Sequence, residues 1–290
     1  MSASNEFAAG PDFACPRLIG MVHAGALPGT PRSRRAVRDL AAAAAREATD
    51  LATAGFDGII IENMHDVPYL RRTVGPEITA AMTCIVGAVR SAVDVSLGVQ
   101  ILAGANDAAM AVAHAAGAQF IRAEGFTFAA VADEGLLEEA DAGPLLRYRR
   151  AIGADPIGIL ADVRKKHSAH AITADIDMAE AIHAAVFAGA DGMIVTGPST
   201  ARPADPGELA DAIAAAADHA GEAGASAAPG DRPAAAPPIL VGSGVTAASA
   251  PGLLAAGTHG LIVGSSIKAG GDWRRPVDPE RAAAFVAACR

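Results

Sequence analysis

The sequence predicts a (β/α)8 barrel. Three observations carry that prediction: eight short apolar runs, Ala-rich segments of helical length between them, and a glycine joint repeated where a helix feeds a strand. The runs are Arg17–Val22, Gly58–Glu62, Ser96–Leu102, Phe120–Glu124, Ile157–Val163, Gly192–Thr196, Ile239–Gly242 and Leu261–Gly264. Continuous apolar runs mark strands buried on both faces, and alternation with helices makes the sheet parallel. The joint recurs as Ala54-Gly55-Phe56-Asp57-Gly58, Ala116-Gly117-Ala118-Gln119, Ala188-Gly189-Ala190-Asp191-Gly192 and Ala256-Gly257-Thr258-His259-Gly260. Glycine just past a helix adopts the left-handed conformation that ends it. A doubly wound sheet is the alternative, and it needs a reversal of strand order that this even rhythm does not show.

In chain order, residues 1–16 read as a flexible N-terminal tail lacking the basic and apolar regions of a signal peptide. A single barrel domain is then expected over residues 17–290, because such barrels take about 250 residues. Helices are expected at Arg38–Ala54, Thr79–Val93, Asn106–Ala116, Met178–Ala188 and Glu208–Ala220. Gly125 to Gly143 is a long excursion after the fourth run, on the face where barrels keep their active sites, and is a candidate lid. A helix at Pro144–Ala151 follows, with proline in its first turn. The Ala/Gly/Pro-rich stretch at 221–237 is expected to be a mobile loop on the opposite face. Asp278 and Pro279 read as the N-cap and first residue of a closing helix.

Hydrophobic residues make up 51% of the chain and aromatics only 4%, so the core is built from Ala, Val, Ile and Leu. A net charge of −9 argues against nucleic acid or an anionic membrane surface as the main partner. A small phosphorylated metabolite in a locally basic pocket is the expected partner instead. Cys15, Cys84 and Cys289 show no CxxC or Cys/His ligand spacing, which argues against a disulfide framework or zinc site and fits a cytoplasmic setting. No apolar run approaches the ~20 residues of a membrane span. A homo-oligomer is left open.

Two Gly/Ser clusters end the last two runs: Gly242-Ser243-Gly244-Val245 and Gly264-Ser265-Ser266, followed by Lys268. Loops at these positions of a barrel bind phosphate through backbone N–H groups, with serine hydroxyls and a lysine assisting. Gly197, after the sixth run, is placed with them. Gly242-Ser243-Gly244 is a near miss to a nucleophile elbow and reads better as an anion loop.

Polar residues at strand C-termini are the default catalytic candidates in a barrel. Here they are His23, Glu62, Asn63, Gln100, Arg122, Glu124, Asp162 and Thr196, with Lys166 and His167 after the fifth strand. Asp162 and Glu62 are the acid/base candidates, with His23 and His167 as proton-carrying or orienting partners. Asn63, Gln100, Arg122, Glu124, Lys166 and Thr196 are candidate substrate contacts. A structural ion-pair layer of Arg122, Glu124 and Asp162 is the alternative. Lys165 and Lys166 are also positioned to form a Schiff base, although a residue beyond a strand is commonly a solvated charge. Mixed His, Glu and Asp ligands suit a divalent metal, but no tight spacing supports one, so no cofactor is assigned.

The motifs resemble the BtpA/SgcQ family. They are Gly20-Met21-Val22-His23 with Leu27-Pro28-Gly29-Thr30-Pro31, and Ile61-Glu62-Asn63 with Asp66-Val67-Pro68. Gly98-Val99-Gln100-Ile101-Leu102, Phe120-Ile121-Arg122-Ala123-Glu124, Leu145-Leu146-Arg147-Tyr148-Arg149 and Ala161-Asp162-Val163 with Lys166-His167-Ser168 complete the set. The resemblance implies a TIM barrel of the ribulose-phosphate-binding type, with one branch tied to photosystem I biogenesis and another to sugar-phosphate genes. It carries over to His23, Glu62, Asn63, Asp66, Gln100, Arg122, Asp162, Lys166 and His167. Departures at Ala24-Gly25-Ala26, His65, Arg164 and Glu124-Gly125-Phe126 fit the metabolic branch better. The expected function is an isomerase or lyase acting on a small phosphorylated sugar. A non-catalytic assembly factor and a metal-dependent hydrolase or lyase are the rivals.

Overall fold

The computed structural model describes residues 13–197, 199–200, 202–226 and 235–290. Eight parallel strands close into a barrel: β1 (Leu18–His23), β2 (Gly58–Glu62), β3 (Ser96–Gln100), β4 (Phe120–Ala123), β5 (Gly158–Val163), β6 (Gly192–Thr196), β7 (Ile239–Gly242) and β8 (Gly260–Val263). Each pairs with its sequence neighbour, and β8 closes on β1. Around them run α1 (Val37–Ala54), α2 (Pro76–Ala92), α3 (Asn106–Ala116), α4 (Ala142–Ala151), α5 (Met178–Phe187), α6 (Pro206–Ser226), α7 (Ala250–Ala255) and α8 (Pro279–Ala288). The glycines of the four joints, Gly55, Gly117, Gly189 and Gly257, all take positive φ, as the helix stops require. The Asp278 carboxylate accepts from the N–H groups of Glu280 and Arg281, capping α8 as expected.

The strand pleat sorts the interior into layers, because residues two apart share a face. One layer is apolar: Ile19 and Met21 from β1, Ile60, Phe120, Leu160, Ile194, Leu240 and Ile262. The strand missing from this set is β3, which contributes Gly98; a Cβ there would lie 2.3 Å from the Phe120 ring. Outside the barrel, Leu40, Ala44, Ala48 and Leu51 bury one face of α1 at helical spacing, and the small alanines keep the helices close.

Three boundaries differ from the sequence reading. The tail expected over residues 1–16 is packed from Phe13 onward. The Phe13 ring lies 5.4 Å from Phe120, and Pro16 crowds Gly58, closing the barrel at the N-terminal ends of its strands. Residues 1–12 lie outside the described residues. The loop expected at 221–237 begins instead as helix, since α6 runs to Ser226; 227–234 are not described. The candidate lid contains an antiparallel hairpin, Ala130–Ala132 with Gly135–Leu137, joined by Ser168–Ala169 from the loop after β5. No helix of the described residues is long and apolar enough to cross a membrane.

The Gly98 contact gives a direct test of the layer. Gly98→Ala is expected to destabilise the fold by about 1–3 kcal/mol in urea unfolding, and Phe120→Leu in the same chain should recover part of the loss.

Candidate active site

Two residues beyond the apolar layer, every strand delivers one residue to a second ring: His23, Glu62, Gln100, Arg122, Asp162, Thr196, Gly242 and Gly264. Above this ring lies a cavity of 260 Å³. His23, Glu62, Arg122 and Lys166 line it together with the loops after β7 and β8.

Those loops are stitched together. The Ser266 hydroxyl donates to the Val245 carbonyl at 2.7 Å, and the Ser243 hydroxyl donates to the Ser199 carbonyl at 3.0 Å. Both hydroxyls therefore hold loops in place. Among the described residues, the backbone N–H groups of Gly244, Val245, Ser265 and Ser266 meet no acceptor, and they border the cavity. Gly197 and Gly244 serve a packing need: a Cβ on either would fall within 2.4 Å of the Arg202–Pro203 backbone. Gly197 does not line the cavity, which corrects its placement on a phosphate.

Lys268 is also corrected. It is fully buried and turns away from the cavity, and its Nζ lies 2.8 Å from Glu47 of α1. The same carboxylate oxygen accepts the Val277 N–H, tying α1 to the segment before α8. The cation at this end of the cavity is Arg281, whose Nε donates to the Ser266 carbonyl at 3.0 Å. Sequence reasoning missed it, although the Asp278-Pro279 cap sets Arg281 in the first turn of the helix after β8.

In the same cavity, His23 Nε2 and Glu62 Oε2 stand 3.5 Å apart with both side chains buried. His23 Nδ1 lies 2.9 Å from the Trp273 carbonyl, which can only accept, so Nδ1 carries the ring proton and Nε2 turns its lone pair toward Glu62. Burial, then the charge of Lys268, holds His23 well below the usual histidine range. Burial pushes the Glu62 carboxyl upward. A neutral imidazole facing a reluctant carboxylate is an arrangement suited to passing one proton.

The BtpA family model matches residues 14–290. The chain belongs to the BtpA family. It is 38% identical over 276 residues to an uncharacterized mitochondrial protein of Caenorhabditis elegans, covering 93% of this chain and 92% of that one. It is 35% identical to the photosystem I biogenesis protein BtpA of Synechocystis, covering 93% of this chain and 87% of that one. Among solved structures, phosphoribosyl anthranilate isomerase of Thermus thermophilus aligns with a TM-score of 0.53 at 11% identity, over 94% and 97% of the two chains. A 3-hexulose-6-phosphate synthase aligns with a TM-score of 0.51 at 17% identity, over 94% and 100%. At such identities these structures share the fold.

Other positions that resemble the family's turn out to be braces. Asp162, expected as an acid/base group, is locked to Arg122: Nε–Oδ1 is 2.9 Å and Nη2–Oδ2 is 3.0 Å, with both residues buried. Burial pulls the Arg122 pKa down, the Asp162 carboxylate more than offsets it, and the guanidinium ends above its usual range. This pair is part of the Arg122, Glu124 and Asp162 layer given as the alternative, with Glu124 outside it, and Arg122 still reaches the cavity. Asn63 donates to Asp66 at 2.8 Å and accepts the Leu102 N–H at 2.7 Å, so it braces the loops after β2 and β3. The His167 ring meets Thr200, accepting its N–H at 3.2 Å, and is a strut holding the loop after β6. Thr196 is buried, and its hydroxyl reaches the Arg164 carbonyl at 3.5 Å. Gln100 is 1% exposed, and neither its amide oxygen nor its nitrogen has a partner among the described residues.

A second chamber of 360 Å³ adjoins the first and shares Glu62, Met64, Lys166 and Thr200 with it. Its wall adds Glu124, Lys165 and the hairpin-tip residues Asp133 and Glu134. Lys165 bridges Glu134 at 3.3 Å and Glu124 at 3.9 Å. Among the described residues Glu124 Oε2 has no hydrogen-bond partner, and burial pushes its carboxyl up to about 7. Among the described residues no three His, Cys, Asp or Glu side chains gather closely enough to hold a metal ion.

Two outcomes follow. Asp162→Asn breaks a buried ion pair and is expected to cost about 3–5 kcal/mol in denaturant unfolding, a loss of fold stability as well as of any activity. Glu124 binds its proton more tightly folded than unfolded, so its contribution to stability falls as pH rises from about 4.5 to about 7. Glu124→Gln removes that dependence. The melting-temperature difference between variant and wild type should therefore shift in the variant's favour across this window, by the equivalent of about 3 kcal/mol. A flat difference would show that Glu124 ionises freely.

Proposed function

We propose that this chain is an enzyme that moves a proton on a small phosphorylated sugar or sugar-like metabolite, in an isomerase or lyase reaction. One observation carries the reading: a single cavity is lined by the His23–Glu62 pair together with the N–H-bearing loops of Gly244–Val245 and Ser265–Ser266 and with Arg281. Backbone N–H groups and a guanidinium recognise a phosphate. A carboxyl with raised pKa beside a neutral imidazole exchanges a proton at a carbon next to a carbonyl. Arg122 faces the same space, with its charge available to a developing oxyanion. The cavity size suits a metabolite of a few carbons. The names of the two solved barrels also point to phosphorylated substrates, and the likeness to them is one of fold.

The assembly-factor reading draws on the photosystem I name of the Synechocystis relative. Glu124-Gly125-Phe126 and the other departures favour the metabolic branch. A thermal-shift screen separates the readings. A triose, pentose or hexose phosphate at ~100 times its dissociation constant should add about 2.7 kcal/mol of stability. Arg281→Ala should weaken that binding by about 1.5–3 kcal/mol. Glu62→Gln should keep the shift and lose exchange of solvent deuterium into the bound ligand. If no phosphorylated sugar and no inorganic phosphate moves the melt, the enzyme reading falls and the assembly factor stands.

A further inference from the structure

Of the 23 lysine and arginine side chains in this sequence only three are lysine: Lys165, Lys166 and Lys268. The exposed cations, Arg34, Arg38, Arg150 and Arg275 among them, are arginine, and all three lysines are turned inward. At the exposed positions this chain uses the guanidinium. Lysine differs in one chemical respect that matters here: its amine gives up a proton and becomes a nucleophile, which arginine does not do.

Two of the three lysines have clear structural partners, Glu134 and Glu124 for Lys165 and Glu47 for Lys268. Among the described residues no carboxylate oxygen lies within 4.0 Å of Lys166 Nζ, and no hydrogen bond to it is formed. Lys166 lines both chambers, sharing their walls with Glu62. It stands in the cavity that the phosphate loops share with the His23–Glu62 pair. Burial, reinforced by the like charge of Arg122, holds its ammonium below the usual lysine range.

We infer that Lys166 is a covalent nucleophile of this site, its Nζ adding to the carbonyl carbon of a phosphorylated aldose or ketose to form an imine. The inference rests on the proposed function for the phosphate that orients the carbonyl. The amine lone pair forms the C–N bond as the C=O π pair moves to oxygen, which takes the Glu62 carboxyl proton. The nitrogen then loses a proton to the Glu62 carboxylate. The carbinolamine hydroxyl, reprotonated by Glu62, departs as water while nitrogen forms the C=N bond. The C=N nitrogen keeps its remaining proton, so the net change is carbonyl, amine and Glu62 carboxyl giving protonated imine, Glu62 carboxylate and water, with no oxidant or reductant. The imine draws electrons from the neighbouring carbon, easing the proton transfer or carbon–carbon cleavage proposed above.

The test uses the whole chain with glycolaldehyde phosphate and, separately, glycolaldehyde, each with cyanoborohydride to reduce any imine, followed by intact mass and peptide mapping. With so few lysines, the map is nearly free of background. The expected result is one saturable adduct on Lys166 from the phosphorylated aldehyde at far lower concentration than from glycolaldehyde. It should be lost in Lys166→Met and Lys166→Arg while both variants keep the wild-type melt, with a trapping rate that reaches its plateau below the ordinary lysine pKa of ~10.4. A melt shifted by the phosphorylated aldehyde with no adduct on Lys166 would overturn the inference and leave the proposed function standing. Equal trapping on Lys166 by both aldehydes would support the nucleophile and count against the phosphate site. Labelling confined to the N-terminal amine, Lys165 or Lys268 would overturn the inference, and so would loss of the adduct only in variants that no longer melt cooperatively.

Discussion

The pleat of a closed parallel sheet governs this molecule. Once Ile60, Phe120, Leu160, Ile194, Leu240 and Ile262 fill the barrel, the residues two further along have no choice of direction. His23, Glu62, Gln100, Arg122 and Asp162 must then share one small space whatever their charges prefer. The apolar layer beneath them is crowded to the point that β3 gives up its side chain at Gly98 for the Phe120 ring. No room remains for the polar ring to relax downward, and its groups settle their electrostatics among themselves or with a ligand.

They settle it unequally. Arg122 takes Asp162 in a two-bond pair, and that removes one of the two carboxylates expected as acid/base groups. Lys165 goes to Glu134 and stands farther from Glu124, while Lys268 is drawn out of the barrel by Glu47. What is left facing the cavity is Glu62, a neutral His23, the free part of Arg122 and the amine of Lys166. Burial raises the carboxyl and lowers the amine, so the two approach each other in proton affinity. A narrower gap makes it easier to pass a proton between them than in a fully ionised pair.

Much of the architecture was legible because it depends on local signals. Apolar runs, alanine-rich intervals and a glycine at four of the helix stops fix strand order without long-range information. The ring of strand-end residues was legible for the same reason: position in a strand determines which face it joins. Roles within the ring were not, because a role depends on distance across the barrel. Asp162 and Glu62 look alike in sequence, and only the placement of Arg122 separates them. Lys268 follows a Gly/Ser cluster in the sequence, yet it pairs with Glu47, which is far from it in the chain. Arg281 carried a usable signal in its cap. The bottom closure by Phe13 carried none, since an aromatic in a short segment of no regular pattern has no periodicity to read.

The rim of the barrel is built in two styles. On the side of β6, β7 and β8, serine hydroxyls and the Arg202–Pro203 backbone bind loop to loop so closely that glycine is required at the crossings. On the side of β4 and β5, the cover is a short antiparallel hairpin hung from Ser168–Ala169, with its tip held by charges. Changes of sequence on the first side disturb several loops together, whereas changes in the hairpin alter one wall of the second chamber. Diversification within such a family therefore has an open route: the interlocked loops stay constant while hairpin residues are exchanged to reshape the second chamber.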